Sequence, residues 1–255
     1  MVNVLILTGF GINSDYESQN AFIQAGAENV KRVHLNDLIH KKDSLENYQI
    51  LMFPGGFADG DYIASGKIMA NKFRYHLRKD LEKFIADEKL ILGICNGFQI
   101  ITKMGILPAF DKEYFKQTVT LVQNESKQFE SRWVRLKPLK NNCVFTHNYT
   151  DYLELPCRHG EGKFVPANEQ ILNRLIEQNL IPFVYDPNTY PNCPNGAIHG
   201  IAGICDETGH IYGMMPHPEC HIFDYHHPRW TRGEKPKENG LKLFKNAVEY
   251  VRKKL

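Results

Sequence analysis

The 255-residue chain has no Cys-x-x-Cys pair among its six cysteines, at 95, 143, 157, 193, 205 and 220. That spacing argues against a zinc ribbon or a small disulfide scaffold. Long apolar runs are missing too: none approaches the ~20 residues that a membrane span needs. The N-terminal stretch Val2–Gly9 is apolar too briefly for a signal peptide and lacks a basic leader. Neither sign of charge dominates, since 31 Lys and Arg face 29 Asp and Glu for a net charge of +2. Their scatter gives no electrostatic case for nucleic acid, and the cluster Arg252-Lys253-Lys254 suits the end of a last helix. These absences lead us to expect a soluble protein of a reducing cytoplasm, with neither membrane nor nucleic acid as partner. What is present, 42% hydrophobic and 24% charged residues, is ordinary for a globular chain with a substantial core.

The first half alternates short apolar runs with longer amphipathic stretches. Strands are predicted over Val4–Leu7, Val30–Leu35, Ile50–Pro54 and Leu90–Cys95, and a helix over Tyr16–Ala25. Apolar residues at three- and four-residue spacings predict one helix over 67–86. Strand, helix and strand in series imply an α/β fold, a mainly parallel sheet covered on both faces. The second half holds more β-like runs: Arg132–Lys137, Val144–Thr146, Lys163–Val165, Ile181–Tyr185, Ile201–Cys205 and Ile211–Met215. Helices are expected over Glu169–Gln178 and Gly240–Lys253, and the Pro- and Asn-rich run Asp186–Asn195 reads as a loop. One domain spanning 1–255 is the simplest account.

Within this pattern, Gly93-Ile94-Cys95-Asn96-Gly97 follows the apolar run Leu90-Ile91-Leu92, and Phe98–Met104 can continue as a helix. A sharp strand-to-helix turn of this kind holds its central side chain above a sheet. Small residues on either side relieve crowding where the backbone bends hard. The helix that follows would direct free N–H groups and its positive dipole end at Cys95, favouring the nucleophilic thiolate. A lone cysteine is more often a small buried hydrophobe; the flanking glycines tilt the reading toward a nucleophile.

A nucleophilic cysteine needs a base, and the base needs an orienting group. Eleven histidines compete. His221, His226 and His227 resemble a metal cluster, but no cysteine or carboxylate set completes tetrahedral spacing there, and no metal is expected. His217 lies in Met214-Met215-Pro216-His217-Pro218-Glu219, after an apolar strand. In extended backbone His217 and Glu219 fall on one side, so the carboxylate can fix the imidazole tautomer and stabilise its cation. A Pro-rich surface turn with a structural salt bridge is the plain alternative. A third element is Phe53-Pro54-Gly55-Gly56-Phe57. Paired glycines after a strand let a backbone N–H approach a substrate oxygen, although a phosphate-cradling loop or a tight turn would look the same. The run lacks the Gly-Lys-Ser/Thr ending of a P-loop.

Three motifs in this order, Pro54-Gly55-Gly56-Phe57-Ala58-Asp59-Gly60-Asp61-Tyr62, Gly93–Gln99 and Met214–Glu219, resemble those of the triad-type, class I glutamine amidotransferases. Three further elements make the chain similar to the glutaminase subunits of phosphoribosylformylglycinamidine synthase. These are Leu121–Glu125 with Phe129–Trp133, His159-Gly160-Glu161-Gly162, and Tyr190–Gly196. The resemblance spans essentially the whole chain. It departs from the family at Asn192-Cys193-Pro194-Asn195-Gly196, where an Asn-Pro-Asn-Gly run is usual, and in an extension around Phe223–Trp230.

The resemblance implies a flavodoxin-like sheet with additional antiparallel strands in the second half. It implies Cys95 as nucleophile, His217 as general base and Glu219 as its orienter. The oxyanion would be held by backbone N–H groups of Asn96 and of Gly56 or Phe57. Gly55, Gln99, Asn124 and Phe129 are expected at the glutamine site, and Arg132, Trp133, His159 and Glu161 at an interface or gate. No cofactor is expected in this chain; ATP and Mg belong to a large synthetase partner, joined in many relatives by a small bridging subunit. Another synthase's glutaminase, or a cysteine peptidase or chaperone-like relative on the same fold, is the competing reading.

Overall fold

The computed structural model describes residues 1–233 and 236–254. Glu234, Lys235 and Leu255 lie outside the described residues. The first half runs β1 (Asn3–Thr8), α1 (Asp15–Gln24), β2 (Asn29–His34), α2 (Leu35–Ile39) and β3 (Ile50–Phe53). It continues with α3 (Lys67–His76), α4 (Arg78–Ala86), β4 (Leu90–Ile94) and α5 (Asn96–Met104). The second half adds β5 (Val119–Val122), β6 (Glu130–Pro138), β7 (Leu153–His159), β8 (Lys163–Pro166) and α6 (Glu169–Glu177). Strands β9 (Phe183–Tyr185), β10 (Ile201–Cys205) and β11 (Ile211–Met214) precede the last helix, α7 (Leu241–Lys254).

Nine strands form one sheet in the order β2-β1-β3-β4-β11-β10-β9-β6-β7. The first five are parallel to one another, the flavodoxin-like order with β11 in fifth place. The last four are joined by antiparallel pairs, as is β10 to β11. Strands β1, β3, β4 and β11 are almost wholly buried, as a parallel sheet covered on both faces requires. Helix α1 packs against α7, and α3 against α4 and α5. A separate pair, β5 with β8, packs beside α5.

Three expectations need correction. Residues 67–86 are two helices, because Leu77 leaves the helical region at φ −122°, ψ 10° while its side chain stays buried. Residues 144–146 form no strand but a turn, in which Thr146 Oγ1 donates to Asn141 Oδ1 (2.7 Å) and Phe145 stacks on Tyr212. Strands β5 and β7 were not anticipated; β7 carries Pro156 at the sheet edge, where a missing N–H costs no ladder bond.

Candidate active site

The parallel strands end on one side of the sheet, and β3, β4 and β11 deliver their following loops there. Cys95 is the residue between β4 and α5, at φ 52°, ψ −108°, a conformation L side chains rarely adopt. Such strain persists where packing over-determines it. Here the glycines supply the packing: a Cβ on Gly97 would stand 1.8 Å from the Phe53 carbonyl oxygen, and one on Gly93 2.8 Å from that of Gly97. The elbow can therefore form only with glycine at both positions. It leaves Cys95 buried, with Sγ facing the carbonyl oxygen of Arg158 at 3.5 Å.

His217 follows β11, and its backbone N–H donates to Pro156 of β7. Its Nδ1 lies 2.5 Å from Glu219 Oε1, both side chains being fully buried. The ring sits over Gly55: a Cβ there would meet His217 Cε1 at 2.8 Å and Cys95 Cβ at 3.5 Å. Gly55 thus serves by lacking a side chain between thiol and imidazole. His217 Nε2 is buried without a hydrogen-bond partner among the described residues. Burial by itself lowers the His217 pKa, but the Glu219 carboxylate and then the Cys95 and Cys220 thiols outweigh it. The imidazole is held well above its ordinary range.

Of the expected oxyanion donors, Asn96 opens α5, where an N–H has no carbonyl one turn back. Phe57 is a correction: its N–H already donates to Gly11 O at 2.7 Å. Gly56, at φ 150° and packed against the Gly11–Asn13 backbone, is left as the unengaged amide of the pair.

A cavity of about 130 Å³ opens beside Cys95, walled by Phe57, Asp61, Gln99, Phe129 and the 158–161 segment. Gln99 lines it, although its amide is held internally, accepting from Asn96 Nδ2 (2.8 Å) and donating to Glu161 O (2.6 Å). Asn124 is a second correction. Its Nδ2 donates to the Gln128 and His159 carbonyls, and its Oδ1 accepts from Gly162 N–H and faces His159 Nδ1. With its hydrogen-bonding capacity spent, it shapes the 159–162 loop and does not line the cavity.

His159, buried, and Glu161, partly exposed, both line the cavity wall. Burial, then the charge of His217, lowers the His159 pKa to about 4. Arg132 pairs with Glu130 and with Tyr190 OH, and Trp133 packs edge-on to His221 and His227; neither residue lines the cavity. Of the three tail histidines, His221 bonds to the Glu154 carbonyl and His227 to its carboxylate, and His226 faces Ile222 N–H.

Two residues escaped the sequence reading. Arg158, besides its carbonyl on Cys95, brings Nη2 to 3.1 Å from Cys220 Sγ and 3.4 Å from His217 Nδ1. Among the described residues His217, Glu219 and Cys220 could offer ligand atoms to one ion, but this guanidinium already occupies the reach of two of them. Asp61, at φ 54°, accepts from Asn96 Nδ2 (3.3 Å) and so is tied to the residue after the elbow. Asp61 stands inside the Pro54–Tyr62 motif and Arg158 just before His159-Gly160-Glu161-Gly162, but nothing in their spacing marked them.

Residues 1–251 match the model of the CobB/CobQ-like glutamine amidotransferase domain. The chain is 42% identical to the PurQ subunit of phosphoribosylformylglycinamidine synthase from Methanococcus maripaludis, over 98% of this chain and 97% of that one. Its identity to the PurQ subunit from Dehalococcoides mccartyi is also 42%, over 98% of each. Among solved structures, PurLQS from Thermotoga maritima contains a chain superposing with a TM-score of 0.75 at 27% identity, covering 98% of this chain and 99% of that one. The class that fold and matches define is the glutamine amidotransferases. Within it, the chain belongs to the family of PurQ subunits of phosphoribosylformylglycinamidine synthase.

Proposed function

We propose that this chain, acting as one domain, hydrolyses glutamine to glutamate and ammonia. The ammonia passes to a large synthetase subunit, joined by a small bridging subunit. There, with ATP and Mg on the synthetase, formylglycinamide ribonucleotide becomes formylglycinamidine ribonucleotide in cytoplasmic purine biosynthesis. The PurQ relatives and the resemblance to a chain of PurLQS support the assignment of partner and product. Among the described residues no helix is long and apolar enough to cross a membrane.

One observation carries the chemistry: a strained Cys95 lines the small cavity, and the His217–Glu219 pair, 2.5 Å apart, approaches it across Gly55. Cys95 Sγ attacks the carboxamide carbon while His217 Nε2 holds the thiol proton. The N–H groups of Asn96 and Gly56 take the charge on the carbonyl oxygen, and each such donor is worth roughly 2.7–4 kcal/mol. As the C–N bond breaks, His217 gives the proton to the departing nitrogen. Water then adds to the γ-glutamyl thioester, its proton passing through His217 back to sulfur as glutamate leaves. Glu219 keeps the proton on Nδ1 and stabilises the imidazolium formed between these steps.

The test uses Cys95→Ala in the complex with the synthetase. Glutamine-dependent synthesis should vanish while synthesis from added ammonia survives. Glutamine turnover at the wild-type rate would remove Cys95 from the mechanism.

A further inference from the structure

The elbow cavity is walled on one side by two carboxylates, Asp61 and Glu161, and their cationic neighbours are unevenly shared. Lys103, nearly buried, lies 3.8 Å from Glu161 Oε2 and donates to Ser65 O at 2.6 Å. Glu161 Oε2 also accepts from the Ser65 N–H. Arg158, the other cation on the cavity, directs its guanidinium to Cys220 and His217. Asp61 has no ion pair among the described residues; Asn96 Nδ2 holds its Oδ1, and Ser65 and Gly66 supply hydrogen bonds. Two negative groups against one lysine leave this wall with one uncompensated negative charge. Burial, with Glu161 adding to it, raises the Asp61 pKa against the hydrogen bonds from Ser65 and Gly66 and the charge of Lys103.

The placement is also built. Asp61 ends a turn in which Asp59, Gly60 and Asp61 all have positive φ, and Lys72 anchors Asp59 at 2.7 Å. Strain held by such anchoring clusters where a ligand is bound. Asn96, the residue after the nucleophile, bridges Asp61 and Gln99.

Resting on the glutaminase reading above, we propose that Asp61 is the counter-ion for the α-ammonium of the substrate. The α-ammonium is the one positive charge on glutamine, and it would neutralise the uncompensated charge on this wall. Asp61 then selects for a free α-amino acid, while Cys95 acts on the carboxamide end. Glu161, already compensated by Lys103, contributes less.

The test is calorimetric titration of the Cys95→Ala complex, in which bound glutamine is not consumed, with and without Asp61→Asn. Asparagine keeps the acceptor for Asn96 and removes only the charge. Glutamine should bind roughly 10- to 100-fold more weakly to the double variant. The probe 4-carbamoylbutanoate, glutamine without its α-amino group, should bind both proteins within about twofold of each other. An unchanged glutamine Kd, or equal weakening toward both ligands, overturns the proposal. Should Asp61→Asn lose the cooperative melt of its parent, Asp61→Ser tests the same charge by the same criteria. Binding is read without chemistry, so a wild-type complex that binds glutamine but releases no ammonia defeats the hydrolytic reading and leaves Asp61 in place.

Discussion

Replacing Glu219 by glutamine probes the pair on which the chemistry turns, and the structure limits how the amide can sit. Glu219 Oε1 faces His217 Nδ1 at 2.5 Å, while Oε2 is buried with no partner among the described residues. A glutamine with its oxygen toward Nδ1 keeps the working tautomer but places an NH2 where nothing accepts it, at a cost of about 1–3 kcal/mol. Turned the other way, the NH2 donates to Nδ1 and drives the proton onto Nε2, so His217 can no longer take one from Cys95. Either pose also removes the carboxylate that outweighs burial in holding the imidazolium. The expected loss in glutamine-dependent kcat lies at ~10²- to 10⁴-fold, the upper end being that of the analogous substitution in a serine protease triad. Glutamate release by the reconstituted complex measures it, with ammonia-dependent synthesis as the control for folding. A variant within tenfold of wild type, with its pH profile unmoved, would refute the role given to Glu219.

Further expectations concern the frame around the pair. Gly97→Ala should prevent the elbow from forming, since its Cβ would stand 1.8 Å from the Phe53 oxygen; urea unfolding should find it more than about 3 kcal/mol less stable, or unfolded. His159 links stability to pH. Its folded pKa of about 4 lies below the ordinary 6.5, so below pH 6.5 the unfolded chain binds a proton that the folded chain refuses. Stability should therefore fall as pH drops from 6.5 toward 4, by up to roughly 3 kcal/mol, and level off below. In His159→Gln this fall should be smaller by that amount, and melts equally pH-dependent with and without the histidine would contradict the assignment.

The parallel half of the fold was readable because its strands are buried on both faces and punctuated by glycine. The elbow was readable for a related reason: Gly93 and Gly97 are required by backbone contacts that admit no Cβ. His217 and Glu219 were found through their two-residue spacing. What was hidden depends on long-range contact. Apolar spacing runs unbroken through Leu77, whose buried side chain satisfies either one helix or two. Phe145 is apolar because it meets Tyr212 from a turn, and Pro156 disguises an edge strand as a loop. Asn124 stands in a quoted motif, but only the fold brings the carbonyls of Gln128 and His159 and the amide of Gly162 around it. Phe57 was one residue from the free amide because its N–H pairs with Gly11, 46 positions earlier. Asp61 and Arg158 reach the elbow from segments distant in sequence, which no local pattern encodes.

The central claim is a covalent bond between Cys95 and the γ-carbonyl of glutamine. Acid quenching of the complex during turnover, followed by mass analysis of its peptides, tests it most directly. One added glutamyl group is expected on the peptide carrying Cys95, absent from Cys95→Ala and lost on treatment with hydroxylamine. A glutamyl group on any other residue, or turnover that leaves Cys95 unmodified under conditions where the thioester should accumulate, would contradict it.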